Sequence, residues 1–183
     1  MYSRTKTNRG SKAGGEKRQY RILGTQRCRL CYTYQKEDKE GSMATKLMEY
    51  FNTMPRLGCL STASKEGKIN VAYFGSPRMI DEKTIVMGLG KNRTFNYLQE
   101  NPFGVFMIME PGKSPTEWKG VRLYVKMTEC ATSGEKYESF KAQVTKVAGE
   151  AAAKLIYAAV TFEVYEIKPL ADFGQGWEKS IGT

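Results

Sequence analysis

The chain of 183 residues contains no histidine. That absence removes Ser-His-Asp and Cys-His nucleophilic arrangements and the commonest general base, so chemistry here would be carried largely by something bound. Cysteine is scarce, at 4 residues. Cys28 and Cys31 form one C-x-x-C pair, while Cys59 and Cys130 stand singly in strand-like segments. A structural zinc site needs four Cys or His ligands in paired spacing, so no metal site is expected, and reduced thiols fit better than a disulfide framework. No run has the length of a membrane span or the apolar core of a secretory signal, so the expectation is a soluble cytoplasmic protein with no membrane partner. The spacing G-x-x-x-x-G-K-[ST] is missing, and nothing specifies a nucleoside triphosphate with magnesium.

Positive charge is plentiful but uneven. The formal net charge is +10. Residues 1–42 hold 11 Lys and Arg against 4 Asp and Glu, and residues 43–183 hold 18 against 15. The first stretch is rich in Arg, Lys, Gly, Ser and Thr and has no sustained period, so it reads as a disordered basic tail ahead of one domain at 43–183. A solvated extension, a nucleic-acid or acidic-surface binder and translation upstream of a true start at Met43 all fit such a tail.

Within the domain the period alternates. Residues 44–54 place Leu47, Met48, Phe51 and Met54 on one helical face, closed by Pro55. Strands are expected at 57–64, 69–80, 84–89, 103–109, 121–128 and 160–164, with helices at 93–101 and 135–148. Tight turns make neighbouring strands antiparallel, and six strands on this length most economically close into a barrel, which removes exposed edges. Met87, Met107, Met109 and Met127 alternate along these strands and read as core.

The most informative stretch is 84–102. Residues 84–89 favour a strand, and Gly88 and Gly90 permit a tight turn. Asn92 is a good N-cap for the helical run that follows, and Asn101-Pro102 stops it. The first turn of a helix offers unpaired N–H groups and a positive dipole end, and Lys91, Arg93 and Thr94 add charge and a hydroxyl. The segment reads as a phosphate seat, or else as an ordinary solvated helix start.

This strand, glycine turn and K-x-x-T-x-N helix start, together with the element order, resembles the pyridoxamine 5′-phosphate oxidase-like family of FMN-binding split barrels over residues 43–183. The resemblance implies a mainly β fold, a six-stranded antiparallel split barrel with flanking helices. It also implies a homodimer with FMN at its interface. Carried over by position, Lys91, Arg93, Thr94 and Asn96 would serve the phosphate and ribityl end. Ala72, Tyr73, Phe74, Gly75 and Ser76 would border the ring, with Met87 and Gly88 beside it. Trp118, Trp177 and Arg122 would reach the flavin or a substrate from the second subunit, or else pack the barrel. The implied function is an oxidoreductase moving electrons or hydride between a reduced donor and a small-molecule or protein acceptor. The family's C-terminal Arg-x-His substrate signature is absent from a chain without histidine, which argues against vitamin B6 oxidation. A deazaflavin on the same scaffold, or nucleic-acid binding through the tail, are the alternatives.

Overall fold

The computed structural model describes residues 46–54 and 56–182, so the basic tail at 1–42 lies outside the described residues. Helix α1 (Lys46–Asn52) is followed by β1 (Leu57–Ala63), β2 (Ile69–Tyr73), β3 (Arg78–Met79) and β4 (Thr84–Leu89). Helix α2 (Arg93–Glu100), β5 (Phe103–Glu110) and β6 (Lys119–Ala131) come next. The chain then runs through α3 (Glu135–Ala148), α4 (Glu150–Lys154), β7 (Ala158–Pro169) and α5 (Trp177–Ser180). No helix among the described residues is long and apolar enough to cross a membrane.

The strands form one antiparallel sheet in the order β2-β1-β5-β6-β7-β4-β3. Seven strands occur among the described residues where the sequence predicts six. The expected strand at 69–80 divides into β2 and β3, because Gly75-Ser76-Pro77 interrupts it. Proline has no N–H for the ladder, and glycine weakens a strand interior. Two turns have local causes. The Ser64 Oγ accepts from the N–H groups of Glu66 and Lys68 at the β1–β2 turn. The Asp81 carboxylate accepts from Lys83 N and Thr84 N, both at 2.8 Å, at the β3–β4 turn.

Strands β6 and β7 are 13 and 12 residues long, with register shifts at Tyr124/Val125 and Met127/Glu129. Such bulges bend and twist a strand, which lets the sheet curl on itself. Inside the curl Leu60, Phe106, Ile108, Leu123, Val125 and Phe162 are buried, and α1 adds Leu47 and Phe51. Phe106 meets both Phe51 and Phe162 edge-on, with centroids 6.1 and 5.4 Å apart. Such edge-to-face pairs add to what area burial alone contributes.

Two helices tie down the open seam of the barrel. The Asn52 side chain of α1 exchanges two hydrogen bonds with the Met79 backbone on β3, at 2.8 and 3.0 Å. Helix α2 follows β4 near one edge of the sheet yet reaches β2 at the other: Asn70 Nδ2 donates to Thr94 Oγ1 at 3.0 Å.

Candidate functional site

The seat is a strand end, a turn and a helix start in one continuous run. Asn92 is the N-cap of α2, with extended backbone, and its Oδ1 accepts from Phe95 N at 3.0 Å. That bond satisfies one of the helix's leading donors and leaves the Arg93 and Thr94 N–H groups without intrahelical partners. Lys91, Arg93 and Asn96 are exposed around this end, whereas Thr94 is only 2% exposed. The Thr94 hydroxyl thus faces inward to Asn70, which also contacts Thr62 Oγ1 at 3.4 Å. Thr94 offers a ligand its backbone N–H and braces the helix start with its side chain.

Two residues the sequence reading passed over belong here. Asn70 is one, a poor strand former in mid-strand, and that mismatch was the available signal. Tyr157 is the other. Its N–H donates to Leu89 O at 2.8 Å, its ring meets Phe95 edge-on at 5.1 Å, and the Lys91 ammonium lies 5.4 Å from its centroid. Nothing local in sequence announces it.

The remaining predicted residues fall into three groups. Ala72 and Tyr73 end β2, an edge strand paired on one side only, while Phe74, Gly75 and Ser76 lead toward β3. Phe74 N donates to Gly58 O at 2.9 Å, and the Phe74 ring packs on the core. Met87 is fully buried in the core and paired with Val160, so it does not border an open site. A Cβ on Gly88 would press on Phe140 and Ile156 at 3.0 Å, so this glycine admits α3 to the sheet. Trp118 stands beyond the other end of β5. Thr94 lies beside Asn70, which pairs with Thr62, which in turn faces Gly104, whereas Lys119 pairs with Glu110. Strand β5 has eight residues, and at about 3.3 Å each its ends are roughly 25 Å apart. Within one chain Trp118 does not join the seat. Trp177 packs against the core, and Arg122 donates to Pro169 O at 3.0 Å, with Asp172 at 3.8 Å.

A buried cation underlies the 74–77 connection. Arg56 is 9% exposed, donates to Pro77 O at 2.5 Å, and stacks 4.7 Å from the Phe51 centroid. Its pKa is lowered to about 10, chiefly by burial and also by the neighbouring Arg78 charge, with Tyr73 opposing the shift. No group of three or more potential metal ligands occurs among the described residues.

No protein-family model and no curated protein matches the chain. Solved structures do. An FMN-binding protein from Syntrophomonas wolfei superposes with a TM-score of 0.54 at 23% identity, over 63% of this chain and 78% of that one. A candidate pyridoxamine 5′-phosphate oxidase from Lactobacillus delbrueckii gives 0.52 at 14%, over 68% and 92%. An F420 reductase gives 0.50 at 13%, over 66% and 94%. The curled antiparallel sheet with its helix-spanned seam shares the fold of these structures, the split barrel.

Proposed function

We propose that the chain is a flavoprotein that holds FMN between its α2 start and its β2 edge. In this role it passes electrons or hydride between a reduced donor and an acceptor. The observation that carries this reading is the Asn70–Thr94 bond. It fixes a cationic helix start against one end of an edge strand whose outer backbone groups have no ladder partner among the described residues. The phosphate would take the Arg93 and Thr94 N–H groups with Lys91 and Arg93. The strand edge from Ala72 to Ser76 would serve the planar ring with backbone donors and acceptors. Bound flavin supplies the redox chemistry, so the lack of histidine is no obstacle. What the protein would add is position and charge: Arg56, buried beneath the 74–77 connection, would set a cation near the ring end.

The homodimer belongs to the same proposal. Ile69, Val71 and Tyr73 are 71%, 59% and 60% exposed on the outer face of β2. They lie in register with Ala63, Ser61 and Cys59, and beyond them Val105 and Met107. A mostly apolar face of this breadth suits a self-complementary interface. A reducing cytosolic setting agrees with free thiols at Cys59 and Cys130. The F420 reductase on this fold favours one second reading, a deazaflavin in the same seat.

The test is absorption spectroscopy of the purified chain with added FMN, followed by removal of free ligand, for wild type and Lys91→Ala/Arg93→Ala. Thr94 is left intact because its side chain braces the fold. Wild type should retain flavin near one per chain. Loss of two charge-assisted contacts, about 1.5 kcal/mol or more each, should weaken the variant roughly 100-fold. Equal retention by both proteins would sink the seat, and a deazaflavin that displaces FMN at equal concentration would favour the second reading.

A further inference from the structure

At the far end of the barrel from the seat, the β5–β6 connection and the segment after β7 enclose an open cleft of about 980 Å³. That volume falls within the range of small-molecule sites. Two aromatics line it, Trp118 and Phe173, together with Lys113, Lys119 and Lys179. None of these three lysines has an ion-pair partner among the described residues. Glu117, also in the lining, spends one carboxylate oxygen on the Lys113 N–H at 3.0 Å.

Phe173 is the unusual member. It is 88% exposed, yet the loop that presents it is held by several bonds. Its own N–H donates to Gln175 Oε1, Gly174 N donates to Asp172 Oδ1, and Gln175 Nε2 donates to Ala171 O at 2.6 Å. Arg122 lies 3.8 Å from the Asp172 carboxylate beside it. A large aromatic kept in water on a braced loop has poor burial within its own chain. It is ready to cover a flat ligand at low ordering cost.

We propose that this cleft binds a planar organic anion, of the aromatic carboxylate class, with its ring between Trp118 and Phe173 and its charge among Lys113, Lys119 and Lys179. The aromatics supply a flat apolar contact and the unpaired ammonium groups neutralise the carboxylate. Within one chain the cleft and the α2 start lie at opposite ends of β5.

Isothermal titration calorimetry on the full chain tests this with two probes of like shape, 2-naphthoate and the neutral 2-naphthalenemethanol. Naphthoate should bind at least tenfold more tightly than the alcohol. Replacing the three lysines together (Lys113→Gln, Lys119→Gln, Lys179→Gln) should abolish that difference while leaving the alcohol unchanged. Phe173→Ser should weaken both probes. Removing equal charge at exposed sites on α3 and α4, by Lys136→Gln, Lys146→Gln and Lys154→Gln, should change neither. The proposal is overturned if wild type fails to prefer naphthoate, or if the cleft triple variant keeps the preference. Flavin retention, measured on the same samples, reports separately on the seat.

Discussion

The two ends of the barrel are built in opposite ways. At the α2 end one continuous run supplies strand, turn, cap and helix, and bonds from Asn70 to Thr94 and from Lys65 N to Glu100 tie it to the far edge. At the other end two segments more than fifty residues apart form the cleft, from 110–119 and 171–182, held by loop bonds and by the close approach of β6 to β5. A local site is braced by a few tertiary contacts, from Asn70 on one side and Tyr157 on the other. A composite site depends on the backbone spacing of the strands that carry it.

That contrast can be broken by substitution. The largest effect is expected from Gly120→Ala. Gly120 has φ of 159°, and a Cβ there would collide with the Ile108 carbonyl oxygen and press on Met109. The β5–β6 ladder must open at the cleft end, which should cost about 3 kcal/mol and roughly 10 °C in Tm. Calorimetry should show naphthoate binding lost while the folded fraction still retains flavin. If Gly120→Ala leaves both Tm and the cleft unchanged, spacing is not what shapes that end.

Thr94→Val should act in the reverse sense. It leaves the half-buried Asn70 amide with only its 3.4 Å contact to Thr62, which should cost about 1 kcal/mol in chemical denaturation. Flavin should bind more weakly and the cleft should be untouched. An unchanged denaturation midpoint would show that the Asn70 bond does not brace the seat.

The smallest effect concerns the β3–β4 turn. Slight burial pushes the Asp81 carboxyl upward, but the N–H groups of Lys83 and Thr84 outweigh it and hold the pKa below the ordinary 3.8. A depressed acid contributes stability that is present above that ordinary value and lost as pH falls through the folded one. Asp81→Asn should therefore flatten the acid limb of the stability profile, with little change near neutrality. An acid limb as steep as wild type would remove Asp81 as its source.

The same contrast explains what was legible in the sequence. Residues 84–102 could be read directly, because strand, glycine turn, Asn92 cap and Asn101-Pro102 stop are all local signals. The split of 69–80 into β2 and β3 was also local, but the alternation of Ile69, Val71 and Tyr73 hid the weight of Gly75 and Pro77. Tyr157 and Asn70 were not readable as neighbours of the seat, since only sheet pairing brings them there. The cleft left no periodic trace, and α5 is too short for one.

The strand order also sets a schedule for synthesis. Strand β4, on whose end the seat is built, pairs with β7 from Thr84↔Glu163 to Leu89↔Ala158, so its main partner leaves the ribosome about seventy residues later. At about 5–20 residues per second the ribosome exposes the glycine turn and its cations for several seconds before β7 arrives. Tyr157, which steadies Lys91, arrives with it. That end of the barrel is thus written well before it is finished.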